Sequence, residues 1–375
     1  MSHFAPGGPM VLIYAGGSVF GRLLAADLLA HTPARLLLVG PQPDDERAAA
    51  RDLDPTGARV RAAQADLADA AGLARLLVGM DAAVCCLRGF QGVPTTLLDA
   101  CIAGRVAYFD IADNRRFVGR VWDRRAEIAA AGIAAGTGLG ALPGLSALMS
   151  EYARTELELV EVARIDIAFY IGSHRARGVG ALAAAVRGTG RPLARYVYGW
   201  SGRQRADFPA PIGRRKVYNF DAPDYDLFPA LFTLPPDRIR VRLGFDRDLV
   251  NRGLAALGLL RRMGWRWRYK GPFLLLLLGL SAPWRAVSED DGALQASVRG
   301  IAPRPAQHTV IRAGTLNIVA PDARLLFVLP CALAVARHLA DPWPPGLLDW
   351  RTWIAPAAMW DALRVRGLSV TWARE

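Results

Sequence analysis

The first 30 residues change from a continuous apolar run to a helical pattern across a glycine-rich turn. Residues Met10–Tyr14 are aliphatic, β-branched or aromatic without a polar break, which is typical of a parallel strand buried on both faces. Glycines follow at positions 16, 17 and 21, and leucines then recur at helical spacing from position 23. Strand, glycine turn and helix in this order predict the βα unit that opens a dinucleotide-binding fold.

Apolar runs and helical patterns continue to alternate through the first 150 residues. Further buried strands are predicted at residues 34–40, 59–65, 82–87, 106–109 and 132–135. The helical patterns between them supply the crossover connections that parallel strands need. The fold class predicted for this part is α/β, a Rossmann-type parallel sheet with helices on both faces.

The pattern of the second half is mixed. Strands are predicted at residues 162–173, 195–200, 216–221 and 238–245, and helices at 178–187, 224–232, 323–339 and 355–365. Asp291 and Gly292 are typical of a hairpin turn, here between strands at 284–288 and 294–301. We predict a dinucleotide-binding domain at 1–145 and a second, α+β domain with a mixed sheet at 146–320. Residues 321–375 are predicted to be helices that pack back on the first domain.

Composition narrows the class of protein. A chain of 375 residues with 52% hydrophobic content can bury two cores and is not disordered. The net charge of +12 comes from arginines spread along the whole chain, so we expect biased composition and no nucleic-acid partner.

The four cysteines form no CxxC pair, and Cys85 and Cys86 are adjacent in a predicted strand, which indicates core thiols. Without an export signal before the first strand, we expect a cytoplasmic protein.

The glycine turn departs from the G-x-G-x-x-G pattern at one position. Ser18 stands where the middle glycine normally lets the backbone approach a pyrophosphate. Its hydroxyl would either donate to the phosphate or push the phosphate outward. A Rossmann domain that has lost its cofactor is therefore the alternative interpretation. The residues predicted to bind the cofactor at this turn are Gly16, Gly17, Ser18, Val19, Phe20 and Gly21.

The remaining predicted cofactor residues follow the second, third and fourth strands. Gly40 and Pro41 occupy the place where a carboxylate binds the ribose 2′-hydroxyl in NAD sites, which argues against strict NAD preference. We therefore predict NADP, with NAD as the alternative. The other residues predicted to contact the cofactor are Asp66, Leu67, Cys86, Leu87, Arg88 and Gly89.

Candidate groups for proton transfer lie after later strands. We predict catalytic roles for Asp110, Asp113 and His174. A helix cap is the alternative for Asp113, and a solvated loop histidine is the alternative for His174. No set of histidine, cysteine and carboxylate side chains has metal-ligand spacing, so no metal is predicted. The residues predicted to contact a small-molecule substrate are Phe90, Gln91, Thr137 and Tyr170.

The order of these motifs resembles that of the saccharopine dehydrogenase-like oxidoreductases. The matching segments are VFGR at 19–22, RGFQG at 88–92, YFDIAD at 108–113 and LPGLS at 142–146. The resemblance covers the first 150 residues well and continues more faintly beyond them. It departs at Ser18 and at Arg88, where the family commonly has a small residue before Gly-Pro-Phe. The resemblance implies an NAD(P)-binding Rossmann domain with a C-terminal domain, and nicotinamide-dependent hydride transfer at an imine, amine or carbonyl carbon. We also expect a homodimer.

One basic and aromatic segment allows a different function. Residues 249–288 contain no acidic side chain, and their arginines interleave with aromatic residues before an apolar run at 273–280. That run is too short to span a bilayer, but such a segment can lie in a membrane interface. The alternative function is a non-catalytic Rossmann-fold protein that binds a protein partner or the inner face of a membrane through residues 261–280. A buried helical pair with solvated arginines is the other interpretation.

Overall fold

The computed structural model describes residues 7–87, 90, 92–172, 174, 186, 188–265, 289–304 and 308–375. The chain forms two compact units. Unit 1 comprises Met1–Gly140 and Phe327–Trp353, and unit 2 comprises Ala141–Leu326 and Ile354–Glu375. Each unit therefore contains two separate stretches of the chain.

The secondary structure elements are numbered in chain order. The strands are β1 (Met10–Tyr14), β2 (Arg35–Gly40), β3 (Val60–Gln64), β4 (Ala82–Cys85), β5 (Ala107–Asp110), β6 (Ala134–Gly136), β7 (Glu161–Ile171), β8 (Pro192–Ala194), β9 (Val197–Tyr198), β10 (Gln204–Asp207), β11 (Arg214–Asn219), β12 (Ile239–Phe245), β13 (Gly292–Arg304), β14 (His308–Ala320), β15 (Gly346–Leu347) and β16 (Ser369–Arg374). The helices are α1 (Val19–His31), α2 (Pro43–Leu53), α3 (Ala70–Leu77), α4 (Thr96–Gly104), α5 (Arg115–Asp123), α6 (Arg125–Ala130), α7 (Ser146–Glu156), α8 (Asp224–Leu231), α9 (Asp248–Arg262), α10 (Leu325–Ala340) and α11 (Pro356–Val365).

Unit 1 is built on a parallel sheet with the strand order β15-β6-β5-β4-β1-β2-β3. Every neighbouring pair in this sheet is parallel. Val11, Leu12 and Ile13 in the central strand are fully buried, as expected where helices cover both faces. Strands β1 to β6 follow the Rossmann order, which confirms the predicted α/β fold of this unit.

Unit 2 is built on a mixed sheet with the strand order β10-β11-β12-β7-β13-β14-β16. Only β7 and β12 pair in parallel, and the other neighbours are antiparallel. Ile165 and Ile167 of β7 and Val241 of β12 are fully buried on one face of this sheet. The predicted α+β domain with a mixed sheet is confirmed.

Three predictions about the second half need correction. Gly292 is not in a turn but is the first residue of β13, where it pairs with Ile171 and Ala320. Close packing explains why this residue is glycine, because a Cβ at position 292 would lie 2.6 Å from the Ala323 Cα atom. Strand β14 was not predicted, and residues 321–375 contain β15 and β16 as well as helices. The predicted strand at 284–288 and nearly all of the predicted helix at 178–187 lie outside the described residues.

Candidate functional site

The glycine turn of unit 1 joins β1 to α1. Ala15 leaves the strand with a φ of 59°, and Ser18 is the N-cap of α1, where its Oγ accepts a hydrogen bond from Gly21 N at 3.1 Å. A Cβ on Gly21 would lie 2.6 Å from the Gly16 Cα atom, so a larger residue does not fit. Ser18 therefore satisfies one of the free amides at the start of the helix. Val19 and Phe20 form the first turn, and the Phe20 ring stacks on Phe327.

A buried carboxylate lies against this turn. Gly17 N donates a short hydrogen bond to Glu46 Oε2, and Glu46 is only 3% exposed. A Cβ on Gly40, the last residue of β2, would overlap Glu46 Oε1. Burial raises the pKa of Glu46, against the lowering effect of the bond from Gly17 N. Gly40 and Pro41 do follow β2 in the sequence, but the fold places the carboxylate of Glu46 beside Gly40.

The sequence carried a signal for Glu46. Helix α2 starts at Pro43, and its buried residues are Glu46, Ala49 and Ala50. These positions have the i, i+3, i+4 spacing of one helix face. A glutamate on an otherwise apolar helix face directed at the sheet is the pattern that could have identified it.

The other predicted cofactor residues follow strands β3 and β4. Asp66 is exposed and accepts from Ala68 N at 2.9 Å, while Leu67 is nearly buried. Cys86 is fully buried and donates its N–H to Tyr14 O at 3.0 Å, and Leu87 is half-buried. Because these strands are parallel, these residues lie at the same edge of the sheet as the glycine turn. The predicted cofactor residues Arg88 and Gly89 lie outside the described residues.

Asp110 ends strand β5 and is fully buried. Its Oδ1 accepts hydrogen bonds from Gly138 N at 2.7 Å and Ala112 N at 2.9 Å. Burial raises the pKa of Asp110 to about 6, although these two hydrogen bonds act to lower it. The carboxyl group thus connects the segment after β6 to the end of β5.

The remaining predicted residues of unit 1 lie near Asp110 in the sequence or the sheet. Asn114 caps α5, with its Oδ1 accepting from two backbone amides of the first turn, so the alternative that Asp113 caps this helix is wrong. Asp113 is half-buried.

Two residues predicted to contact the substrate are buried. Phe90 is 1% exposed, and its ring centre lies 4.6 Å from that of Phe117. Thr137 is also buried, and its carbonyl oxygen accepts from Trp350 Nε1 at 2.6 Å. Both side chains are therefore part of the packed interior, and Gln91 lies outside the described residues.

Unit 2 brings Tyr170 and His174 together around Glu289. The Tyr170 hydroxyl donates a short hydrogen bond to Glu289 Oε2, and Arg215 Nη2 lies 2.8 Å from both Glu289 carboxylate oxygens. His174 N donates to the Glu289 carbonyl oxygen at 3.0 Å. Burial raises the pKa of Tyr170. Burial also acts to raise the pKa of Glu289, but the hydrogen bonds from Tyr170 and Arg215 outweigh it and the pKa is lowered.

Sequence reasoning did not single out Glu289 or Arg215. Glu289 is the first acidic residue after the segment 249–288, which has none. Arg215 lies in the basic run of β11. Only the fold shows that the two form an ion pair.

The described part of the chain contains neither a candidate metal site nor a membrane-spanning helix. No group of three or more histidine, cysteine, aspartate or glutamate side chains there could hold a metal ion. All four cysteines are free and buried, which confirms their interpretation as core thiols. None of the described helices combines the length and apolar character needed to cross a bilayer. Most of the basic aromatic segment, residues 266–280, lies outside the described residues.

Comparison with known proteins gives a match to a family model and matches to solved structures. Residues 11–135 match the family model for the saccharopine dehydrogenase NADP binding domain. No curated protein matches the sequence. The structure is similar to apo saccharopine dehydrogenase (L-Glu forming) from Saccharomyces cerevisiae, with a TM-score of 0.64 and 14% identity over 98% of this chain and 100% of that chain. A short-chain dehydrogenase/reductase from Mycobacterium ulcerans covers 34% of this chain and 66% of its own, with 17% identity and a TM-score of 0.28.

The family model confirms, over residues 11–135, the resemblance to the saccharopine dehydrogenase-like oxidoreductases. The family model covers most of the first segment of unit 1 and supports NADP as the cofactor. The yeast enzyme shows the fold of the whole chain. At this general level the matches support an NAD(P)-dependent oxidoreductase, and they do not favour the non-catalytic alternative.

Proposed function

We propose that this protein is an NADP-dependent oxidoreductase that transfers a hydride to or from an imine, amine or carbonyl carbon of a small molecule. The observation that carries the proposal is the glycine turn from Gly16 to Gly21. It joins β1 to the N-terminus of α1 within the residues that match an NADP-binding domain. A helix N-terminus approached through glycines is a site for a pyrophosphate.

The residues of the turn fit this cofactor. A Cβ on Gly17 would lie 2.8 Å from the Asp45 carbonyl carbon, so only glycine leaves the backbone accessible between β1 and α2. Ser18 keeps the start of α1 ordered and uses Gly21 N alone to do so. Gly17 N is held by Glu46 and becomes available to a phosphate when this carboxylate moves or is protonated. The bound cofactor supplies or accepts the hydride, and the turn positions it.

We assign separate roles to three of the residues that the sequence singled out. Asp110 is fully buried and bonded to two backbone amides, so we assign it a positioning role for the segment around Gly138. Tyr170 and His174, organised by Glu289, are proposed to handle protons and charge on the substrate. Asp113 stays a predicted catalytic residue, and the homodimer stays a prediction.

The first experiment is to titrate the purified protein with NADPH and NADH, following cofactor fluorescence and calorimetry. We expect saturable binding with a preference for NADPH. Gly17→Ala places a methyl group against the Asp45 backbone and should weaken NADPH binding by at least about tenfold, since a poorly fitting methyl costs more than about 1.4 kcal/mol.

Gly119→Ala is the matched control, because Gly119 lies in α5 with open space around its Cα atom. It should bind NADPH like the wild type, with unchanged circular dichroism. Absence of saturable NADPH and NADH binding by the wild type would contradict the proposed function.

A further inference from the structure

Unit 2 contains a second candidate binding site, a cavity of about 700 Å³. Its lining includes Arg164 of β7, Arg240 and Arg242 of β12, and Arg262 at the end of α9. Tyr198 and Asn219 also line it. A volume of this size accommodates a small organic ligand.

Strand register assembles this cavity. Arg240 is paired with Asp166 across the parallel strands β12 and β7, and Arg242 is paired with Asn219 across β12 and β11. The alternating residues of β7, Ile165 and Ile167, are buried on the opposite face. The polar side chains of three neighbouring strands therefore gather on one side of the sheet.

Positive charge in the cavity exceeds negative charge. Asp166 accepts from Arg242 Nη1 at 2.9 Å and from Arg164 Nη2 at 3.1 Å. Arg240 donates to two backbone carbonyl oxygens at 2.7 and 2.8 Å, and the Arg262 guanidinium lies 4.3 Å from the centre of the Tyr198 ring. Among the described residues, Arg164 and Arg242 share the carboxylate of Asp166, and Arg240 and Arg262 pair with none. Guanidinium groups that converge without enough carboxylates favour an anionic ligand.

Two buried polar atoms of the lining lack partners in the described part of the protein. Arg242 is 6% exposed, and its Nε donates to nothing; Asn219 is also 6% exposed, and its Oδ1 accepts from nothing. Buried polar groups are normally hydrogen-bonded. One free donor and one free acceptor match a ligand that carries both an anionic oxygen and a hydroxyl group.

A glycine keeps the space beside Asn219 open. Gly202 lines the cavity with a φ of 61°, which disfavours other residues. A Cβ at this position would lie 2.6 Å from Asn219 Nδ2. Glycine at position 202 therefore leaves room for the Asn219 amide, whose Nδ2 donates to Ser201 Oγ at 3.3 Å and whose Oδ1 has no partner among the described residues.

We propose that this cavity binds a small hydroxylated phosphate ester, of the sugar phosphate or polyol phosphate class. The arginines bind the phosphate in the fork geometry that guanidinium groups favour, and Asn219 accepts from a ligand hydroxyl. This site is separate in its residues from the glycine turn, and the proposal does not depend on the hydride transfer proposed above.

Calorimetry with ribose 5-phosphate as the probe tests the proposal at physiological salt. Ribose 5-phosphate should bind with one site per chain, inorganic phosphate more weakly, and ribose not at all. Arg242→Gln should weaken ribose 5-phosphate binding by at least about tenfold, because the phosphate loses a charged hydrogen-bond donor. Arg262→Gln, at an exposed helix end, tests the same cavity without changing a buried ion pair and should also weaken binding.

Arg214→Gln is the matched control for charge, because Arg214 lies in the same unit, is exposed, and pairs with Asp207 outside the cavity lining. It should leave ribose 5-phosphate binding unchanged. Gly17→Ala should also leave it unchanged, while the cavity variants should leave NADPH binding unchanged. The proposal is overturned if ribose 5-phosphate does not saturate the wild type, or if Arg214→Gln weakens binding as much as the cavity variants.

Discussion

Two carboxylates of unit 1 and two of unit 2 are stabilised in different ways. In unit 1, Glu46 and Asp110 accept hydrogen bonds from backbone amides, and burial still raises the pKa of both. In unit 2, Asp166 and Glu289 accept from arginine side chains, and the pKa of both is lowered despite burial. Backbone dipoles position a carboxylate without fully offsetting its desolvation, whereas a nearby guanidinium offsets it.

Carboxylates bonded to backbone amides and carboxylates bonded to arginines suit different functions. A carboxylate that is held by neutral donors takes up a proton at a higher pH than usual, so its charge responds to pH. One that is held by arginines keeps its charge and fixes the arginines in place for an anion. The comparison therefore predicts pH sensitivity in unit 1 and a constant charge pattern in unit 2.

The largest expected effect concerns Asp110. Its pKa is about 6 in the folded protein and 3.8 as the ordinary value, so the folded state holds the proton more tightly than the unfolded state. Its contribution to stability is present below about pH 4 and is lost as the pH rises to about 6. The loss amounts to about 3 kcal/mol of unfolding free energy.

Asp110→Asn should remove this pH-dependent loss, because an amide has no proton to release. Urea unfolding of the wild type and the variant between pH 4 and 7 measures the difference. Asp44→Asn, at an exposed position of α2, serves as the control and should follow the wild type. Parallel curves for the wild type and Asp110→Asn would refute the assignment.

The next effect concerns Glu46 at the glycine turn. Glu46→Gln removes a negative charge beside Gly17 and should tighten NADPH binding by about tenfold, an effect of about 1.4 kcal/mol. In the wild type, NADPH binding should tighten as the pH falls, because protonation of Glu46 removes the same charge. The variant should lose this pH dependence, and Asp44→Asn, on the same helix, should retain it. Fluorescence titration at several pH values measures the NADPH affinity. Weaker NADPH binding by Glu46→Gln would contradict this prediction and show that the carboxylate favours cofactor binding.

The smallest effect separates capping from ligand binding at Ser18. Ser18→Ala should lower the unfolding free energy by about 1 kcal/mol, and Ser18→Gly by only a few tenths, because glycine is tolerated at an N-cap. Thr95→Ala is the control, because Thr95 caps α4 without a side-chain hydrogen bond, and its effect should be smaller than that of Ser18→Ala. Thermal unfolding measures stability. A large gain in NADPH affinity for Ser18→Gly would instead show that the Ser18 side chain obstructs the phosphate.

Local patterns were sufficient for strands β1 to β6 of unit 1 and for several elements of unit 2. The predicted strands at 34–40 and 82–87 correspond to β2 and β4, and the predicted helix at 355–365 corresponds to α11. These signals are periodicity, glycine spacing and helix starts, which act over a few neighbouring residues. Strand β14 was missed because three arginine or threonine positions, Thr309, Arg312 and Thr315, obscure its alternation. Gly292 was misassigned because an Asp-Gly pair has the same composition in a turn and at a close packing contact.

The sequence by itself determined the alternation of strands and helices from β1 to β6 and the position of the glycine turn. Only the tertiary structure placed Glu46 on Gly17 N, joined Tyr170 to Glu289 and Arg215, and gathered four arginines around one cavity. Those contacts join side chains that lie dozens of residues apart, and their positions depend on strand register and helix docking. A local pattern shows which side chains share a face, whereas the partner of each buried charge is decided when separate elements pack together.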